Sequence, residues 1–108
     1  CIRDYIHVSD IAKIHILVLT KINRKKISVT LNCGYGKGIS VLEAIKEFQK
    51  QTKKRFKISI KNRSRGDMEE IVDDNSKIKT FIKWKPKKKS LNHIVSSCLK
   101  WEKKIRLY

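Results

Sequence analysis

The sequence predicts an α/β fold, a small mixed domain of about three short strands and four helices. Residues 27–33 and 56–61 alternate apolar and polar side chains with the period of two that is typical of strands with one buried face. Other segments carry apolar residues at the three- and four-residue spacing of amphipathic helices. The glycine-rich stretch GYGKG, residues 34–38, lies between the first of these strands and a helix. We therefore expect residues 27–49 to be the centre around which the chain packs.

The amino-terminal region is expected to contain a short extended segment, residues 1–8, and one helix. Ser9 or Asp10 can cap this helix, because either side chain can accept an amide N–H of the first turn. The apolar stripe that follows predicts that the helix reaches about Lys21. The polar residues 23–26 are expected to form a loop that leads into the next strand.

The glycine turn and the helix after it have the clearest local signals. Gly34, Gly36 and Gly38 are expected to adopt positive φ angles, which allow the chain to reverse within a few residues. Ser40 and Glu43 form a capping box, in which each side chain bonds the other residue's backbone amide, so the helix begins at Ser40. We expect its apolar stripe to face the preceding strand through Val41, Ala44, Ile45 and Phe48.

A second strand and a short helix are predicted to follow. Residues 56–61 form the strand, and its polar face is cationic, as on many exposed sheet edges. Gly66 is the pivot of a charged turn, residues 62–67. Residues 73–76 offer several capping side chains before a short helix that buries Ile78.

The last helix is predicted to begin at Ser90, whose hydroxyl can cap it. Apolar residues then recur at helical spacing, namely Leu91, Ile94, Val95, Cys98, Leu99 and Trp101. At 108 residues the whole chain is expected to fold as one compact domain with a single core.

The formal net charge of +17, from 27 Lys and Arg against 10 Asp and Glu, is the most unusual number in the composition. A sum this large points first to nucleic acid. However, lysine greatly outnumbers arginine and is scattered over every segment, as a bias towards AT-rich codons would produce, and aromatic residues do not interleave with the cations. The densest run, residues 83–89, is expected to be a solvated loop. We expect no specific nucleic-acid binding, and a basic nucleic-acid-binding module is kept as an alternative function.

The three cysteines, Cys1, Cys33 and Cys98, are odd in number and widely spaced, with no C-x-x-C pair. This pattern predicts neither a disulfide framework nor a metal site, and it fits a reducing, cytoplasmic location. The longest apolar run, residues 14–19, is far shorter than the ~20 residues of a membrane span. We therefore expect no contact with a membrane.

The glycine turn is interpreted as structural. Its spacing is G-x-G-x-G, whereas a dinucleotide fingerprint needs G-x-G-x-x-G, and no Lys followed by Ser or Thr accompanies it. No set of side chains predicts catalysis either, since His7, His15 and His93 fall on different elements. Arg3 and the turn at 62–67 could bind phosphate and ribose or be plain surface charges, and spacing alone favours neither reading.

Five stretches follow one another in a specific order. They are RDYIHVSDIAKIH at 3–15, LNCGYGKGISVLEAI at 31–45, RGD at 65–67, DNSKI at 74–78 and IKWKP at 82–86. Together they resemble the carboxyl-terminal part of the UDP-glucose 4-epimerases, a family of extended short-chain dehydrogenases/reductases. The combination of RDYIHV with N-x-G-x-G-x-G-x-S-V separates this family from the sugar-nucleotide dehydratases.

The resemblance implies that residues 1–108 form a single carboxyl-terminal UDP-sugar-binding domain, and that the NAD-binding Rossmann domain is absent from this chain. The family moves a hydride from the sugar C4 to NAD, rotates the keto sugar and returns the hydride to the other face. By resemblance, Arg3 contacts the diphosphate and Asp67 binds the uridine ribose. The family's second phosphate-contacting arginine falls at Ser64, so Arg63 or Arg65 is expected to replace it.

The resemblance assigns no catalytic residue to this chain. The family's Tyr-x-x-x-Lys lies upstream, and Tyr5 is followed at the lysine position by Ser9. The tyrosine that the family often has near the sugar is Ile71 here. NAD is therefore expected in a parent enzyme and not on this chain, which is predicted to be inactive alone.

The expected partners are a UDP-sugar and the chain's own Rossmann domain, with a homodimer only for the full enzyme. The chain begins with Cys1, and we expect it to be a piece of a longer protein. A non-catalytic relic of a nucleotide-sugar epimerase is the remaining alternative.

Overall fold

Three short strands and four helices make up the secondary structure of the computed structural model, which describes residues 1–87 and 90–106. In chain order they are β1 (Ile2–Arg3), α1 (Val8–Lys25), β2 (Ile39–Ser40), α2 (Val41–Thr52), β3 (Glu70–Ile71), α3 (Ser76–Phe81) and α4 (Leu91–Arg106). The predicted α/β class and the predicted number of elements are confirmed within these ranges. The last two residues of the lysine-rich run at 83–89 lie outside the described residues.

The sheet brings three distant parts of the chain together, and its central strand is formed by residues 2–3. β1 is central, with β2 antiparallel on one side and β3 parallel on the other. Ile2 lies opposite Ser40 in one pairing and opposite Glu70 in the other. Flanking bonds extend the sheet, because Ile2 N–H donates to the Glu69 carbonyl over 2.8 Å. The sheet therefore holds the start of the chain, the end of the glycine turn and the region after residue 67 together.

The predicted strand at 27–33 is wrong as a paired strand, although its alternation is real. Val29, Leu31 and Cys33 are partly buried and the residues between them are exposed, so one face lies inward as expected. The segment runs beside α1 but has no ladder partner among the described residues. A strand needs a neighbour to accept its backbone bonds, and period-two alternation by itself cannot supply one.

The predicted strand at 56–61 is also unpaired within the described part of the chain. All of its residues are exposed, including Ile60, which is 84% exposed. The strands that pair with β1 are instead β2 and β3. Each has only two residues, which is too short to show a period of two in the sequence.

Helix α1 begins and ends outside its predicted limits. Its amino-terminal cap is His7, whose Nδ1 accepts from Ser9 N–H over 3.0 Å, so neither Ser9 nor Asp10 caps it. The helix continues to Lys25 through the residues predicted as a loop and ends at Lys26, which has a left-handed φ of 52°. The basic last turn favours this extension, because cations stabilise the carboxyl-terminal end of a helix.

Helices α2 and α4 form a pair and begin as predicted. Ser40 Oγ accepts from Glu43 N–H, and Ser90 Oγ accepts from His93 N–H, each over 3.1 Å. Helix α2 packs against α4. The expected packing of its apolar stripe against residues 27–33 stays a prediction. On α4 the apolar stripe is only partly buried, since Val95 is 1% exposed but Trp101 is 59% exposed.

The buried core lies between α1 and α3, and three side chains of the predicted centre, Leu31, Cys33 and Tyr35, pack against it. It consists of Ile14, Ile78, Ile82 and Trp84. Ile78 is fully buried, as predicted from the short helix. The glycine turn reaches this core through Tyr35, whose ring stacks with that of Trp84 at a centroid distance of 6.3 Å.

The chain exposes more surface than a compact domain of its size. Its accessible surface is 9037 Å², whereas a folded monomer of 12.7 kDa exposes about 6,200 Å². Its radius of gyration is 16.9 Å, against about 13 Å for a compact chain of this length. The expectation of a compact fold is therefore wrong.

Candidate functional site

A partly exposed ion pair between distant segments joins Arg3 to Asp67. Arg3 Nη2 lies 3.1 Å from Asp67 Oδ1, and each side chain is about one third exposed. Arg3 also donates from Nη2 to the Met68 carbonyl over 3.0 Å and from Nη1 to the Ile2 carbonyl over 2.8 Å. Cys1 Sγ lies 3.5 Å from the other oxygen of Asp67. Two residues that the resemblance assigns to one ligand thus lie side by side, open to solvent.

The sheet and a tight turn bring this pair together. Arg3 is on the central strand β1, and Asp67 comes just before β3, which runs parallel to it. Residues 64–67 form a tight turn, which is closed by the Asp67 N–H donating to the Ser64 carbonyl over 3.0 Å. Gly66 has a φ of +83°, a left-handed value that favours glycine, so the predicted pivot is correct.

The other two predicted ligand residues are Arg63, which precedes this turn, and Arg65, which lies within it. Arg63 Nη1 lies 3.8 Å from Glu69 Oε2, in a pair exposed to water on both sides. Arg65 is in the turn itself and is exposed. Within residues 1–87 and 90–106, the ion pairs involve Arg3 and Arg63 but not Arg65.

Asp4 is the anchor of this region that the sequence reasoning missed. Its Oδ1 accepts from Tyr35 N–H over 3.0 Å, and its Oδ2 accepts from Gly36 N–H over 2.8 Å and from Asp73 N–H over 3.4 Å. One carboxylate therefore ties the residue next to Arg3 to the glycine turn and to the segment after β3. The signal for it in the sequence is its place next to Arg3 in the motif RDYIHV.

The glycines of the turn have different roles. Gly36 has a φ of +72°, so a left-handed backbone is required there, but neither Gly34 nor Gly38 has a positive φ. A Cβ at Gly34 would lie 2.5 Å from the Asp73 carboxylate, and one at Gly38 would lie 2.5 Å from Ile2 Cγ2. The expectation of three positive φ angles is wrong, because two of the glycines are needed for space.

This packing also tests the turn as a dinucleotide site. A pyrophosphate needs open backbone and positive surroundings. Gly34 instead faces the carboxylates of Asp4 and Asp73, and Gly38 faces the methyl group of Ile2. The residues of the turn therefore do not fit NAD, in agreement with its interpretation as a structural turn.

His7 and Ser97 are in contact, yet their geometry does not fit nucleophilic catalysis. His7 Nε2 lies 2.9 Å from Ser97 Oγ, and His7 Nδ1 accepts from Ser9 N–H. A neutral imidazole that accepts at Nδ1 carries its proton on Nε2, so His7 donates to Ser97 and is not placed to take its proton. Ser97 Oγ in turn donates to the Ile94 carbonyl over 2.9 Å.

A polar network beside His7 holds two segments of the fold together. Tyr35 Oη accepts from His7 N–H over 3.0 Å and donates to Asp10 Oδ2 over 2.5 Å. Burial, followed by the hydrogen bond to Asp10, raises the pKa of Tyr35 from 10.0 to about 12. The phenol therefore stays protonated and holds the glycine turn against the start of α1.

Other classes of site are not built in the described part of the chain. Across residues 1–87 and 90–106, no group of three or more His, Cys, Asp and Glu could hold a metal ion. Over the same residues no helix is both long and apolar enough to cross a bilayer. Cys1 and Cys98 are exposed free thiols. Burial, followed by the charge of Asp73, raises the pKa of the third thiol, that of Cys33.

The chain is similar to curated nucleotide-sugar epimerases over nearly its whole length. It is 38% identical over 105 residues to a UDP-glucose 4-epimerase of Azospirillum brasilense. This match covers 97% of the chain and 30% of that protein. The chain thus spans about a third of the length of the curated relatives it matches. No protein-family model matches it.

Solved structures give the same relation. The UDP-Glc/GlcNAc 4-epimerase of Campylobacter jejuni matches 96% of this chain and 31% of its own, at 38% identity and a TM-score of 0.85. A UDP-glucose-4-epimerase of Stenotrophomonas maltophila, solved with NAD and formylated UDP-arabinopyranose, matches 97% of this chain and 31% of its own, at 35% identity and a TM-score of 0.88. The short sheet and four helices therefore recur within larger epimerases.

Proposed function

Because this chain is a homologue of the carboxyl-terminal region of the UDP-glucose 4-epimerases, we propose that it holds the UDP-sugar of an NAD-dependent isomerase. The parent enzyme interconverts UDP-glucose and UDP-galactose, as part of galactose and nucleotide-sugar metabolism in the cytoplasm. The observation that carries the proposal is the contact between Arg3 and Asp67 over 3.1 Å, in a chain aligned with epimerases from end to end.

The chemistry of this pair suits a nucleoside diphosphate. Arg3 has five N–H groups, and three of them are directed at protein acceptors, so two remain for phosphate oxygens. Asp67 is a carboxylate that can accept from both hydroxyls of a ribose. Since the two side chains are adjacent, one ligand with a ribose next to a diphosphate can contact both. In this proposal Arg3 binds the diphosphate, Asp67 binds the ribose, and a further cation comes from Arg63 or Arg65.

The chain supplies only part of the reaction. In this proposal the hydride carrier and the proton-transfer pair come from a Rossmann domain outside residues 1–108, and NAD binds there. The chain exposes about 2,800 Å² more surface than a compact monomer of its mass. A standard interface buries ~800 Å² on each partner, so this extra surface is large enough for such a neighbour to cover. Residues 27–33 have no ladder partner among the described residues, and their apolar face lies on α1, so this segment is the part of the surface best suited to continue a neighbouring sheet. A homodimer, in this proposal, is a property of the full enzyme.

Titration of the chain with UDP, followed by NMR, tests the binding. We expect saturable shifts, and we expect Arg3→Ala to weaken binding by about tenfold or more, since it removes charge-assisted hydrogen bonds. Arg24→Ala is the matched control, because it makes the same change in net charge at an exposed position on α1. Equal affinities of both variants and the unchanged chain, or no saturable binding at millimolar UDP, would refute the proposal.

An activity assay tests the division of labour. The purified chain, supplied with NAD and UDP-galactose, is expected to form no UDP-glucose, because it has no hydride carrier site and no proton-transfer pair. Detectable conversion would contradict the proposed role. The comparisons do not favour the nucleic-acid-binding alternative, and we do not propose it.

A further inference from the structure

A groove between the second half of α1 and the end of α3 combines an apolar floor with several cations. The floor is formed by Leu17, Phe81 and Ile82, of which Ile82 is 6% exposed and the other two are partly buried. The remaining lining residues are polar or cationic, and they are Thr20, Lys21, Arg24, Lys25, Thr80 and Lys83. None of these described lining residues is acidic. We call this surface the cationic groove.

The carboxylates of the chain are distributed unevenly, although its lysines are not. No Asp or Glu occurs from residue 11 to 42 or from residue 75 to 101, and these two stretches contain all of the lining residues. By contrast, residues 43–74 contain seven of the ten acidic residues of the chain. The positive charge of the groove therefore reflects missing carboxylates as well as abundant lysine.

The four cations of the groove have no acidic partner in residues 1–87 and 90–106. The ion pairs of this part of the chain, at Arg3 and Arg63, lie outside the groove. Lys21 Nζ donates to the Phe81 carbonyl, which carries no net charge. The carboxyl-terminal end of α1 contributes only about half a negative charge. The groove thus keeps a net charge of about +3 or more and attracts anions.

The aromatic ring and the depth of the floor select the class of anion. Lys21 Nζ lies over the Phe81 ring, 4.7 Å from its centroid, and the same ring packs against the buried core. The ring therefore offers a base little surface for stacking, which single-stranded nucleic acid needs. A bilayer is too flat to reach a floor as buried as Ile82. An acidic protein segment can place an apolar side chain on the floor and carboxylates on the cations at once.

We propose that the cationic groove docks an acidic segment of a partner protein, in which an apolar side chain lies among several Asp or Glu residues. The apolar side chain rests on the floor, and the carboxylates pair with the cations around it. This role goes beyond the proposed UDP-sugar site, whose residues Arg3 and Asp67 do not line the groove. The groove also shares no lining residue with the face of α1 beside residues 27–33, so a neighbour on that face can leave it open.

The test measures binding of a synthetic peptide to the 108-residue chain by fluorescence anisotropy. The peptide has about twelve residues and is rich in glutamate, with one central leucine. Salt at about 0.15 M limits electrostatic effects to about 8 Å, so distant charges contribute little.

Two double variants are compared, Lys25→Ala with Lys83→Ala in the groove and Lys13→Ala with Lys100→Ala outside it. The variants are matched, because all four lysines are exposed and each pair takes one lysine from each acid-free stretch. Both pairs lower the net charge equally. Lys13 lies about 18 Å from Lys25 along α1, which is well beyond the screening distance.

The groove variant is expected to weaken peptide binding by about tenfold, since it removes two ion pairs with the peptide, and the control variant to change it by less than about twofold. Replacing the leucine of the peptide by serine is expected to weaken binding by about fivefold, because contact with the floor is lost. Together these results would support the proposal.

Three results would overturn it. Equal weakening by the two double variants, or no saturable binding, would reduce the groove to unspecific attraction of anions. Equal affinities of the leucine and serine peptides would show that the floor has no role. Single-stranded DNA of the same charge that binds as tightly as the peptide, and that loses affinity in the groove variant, would indicate a nucleic-acid surface in place of a protein-docking one.

Discussion

Replacement of Asp4 by alanine is the sharpest test of how the site is held together. The Asp4 carboxylate accepts backbone N–H groups from Tyr35 over 3.0 Å and from Gly36 over 2.8 Å, with a longer bond to Asp73 at 3.4 Å. These bonds join β1, which carries the neighbouring Arg3, to two distant segments. Asp4→Ala removes all three acceptor contacts at once.

The two short bonds determine the expected size of the effect. A hydrogen bond to a charged group contributes about 1.5–3 kcal/mol, and the lower end applies because Asp4 is only partly buried. We therefore expect Asp4→Ala to lower the free energy of unfolding by about 2–4 kcal/mol. Asp4→Asn keeps one acceptor oxygen and is expected to lose about half as much, since its amide group faces a backbone donor.

Urea unfolding followed by helical circular dichroism measures this loss. Asp74→Ala is the control, because it makes the same change in charge but removes only one short backbone contact, to Ser76 N–H at 3.0 Å in an exposed position. Equal losses in Asp4→Ala and Asp74→Ala would refute the reasoning. The loss in Asp4→Asn keeps the test decisive if Asp4→Ala fails to fold.

Three further predictions concern the turn and its helix. Gly38→Ala is expected to lower the melting temperature more than Gly66→Ala, because its Cβ would lie 2.5 Å from a side-chain carbon, whereas Gly66 has open space and only its φ of +83° opposes alanine; the reverse order would be contrary to this account. The pKa of Tyr35 is raised to about 12 by burial and by its bond to Asp10, so its stabilising effect is complete below pH 10.0 and is lost as the pH rises through about 12. Unfolding free energies measured across this window should fall in the unchanged chain and less in Tyr35→Phe, and parallel profiles would contradict the assignment. Ser40→Ala is expected to cost about 1 kcal/mol in urea unfolding through loss of the α2 cap, and an unchanged midpoint would show that the cap contributes nothing.

The local signals of the sequence were reliable where a few neighbouring residues decide the outcome. Ser40 and Ser90 cap α2 and α4 because a serine hydroxyl reaches an amide three residues ahead without help from the rest of the fold. The cap of α1 was missed, because His7 is not a common capping residue and its Nδ1 accepts a bond that a serine or aspartate was expected to accept. Gly66 was correctly identified as a pivot, since its turn is closed within four residues.

Pairing between distant segments was not predictable in the same way. The alternation at 27–33 correctly indicated one inward face, but a ladder depends on which backbone lies alongside, and this information is not contained in the alternating segment. The two-residue strands β2 and β3 have no detectable period, so the actual sheet could not be read from the chain.

The sequence by itself determined the α/β class, the four helices and the ordered motifs that relate the chain to the epimerases. It also contained Arg3 and Asp67, although only the resemblance linked these two residues to one ligand. The tertiary structure alone decided that they lie 3.1 Å apart, and that Arg63 faces Glu69 while Arg65 does not. The physical reason is that helix periodicity and capping act over three or four residues, whereas Arg3 and Asp67 are 64 positions apart and lie on segments that the sheet brings together.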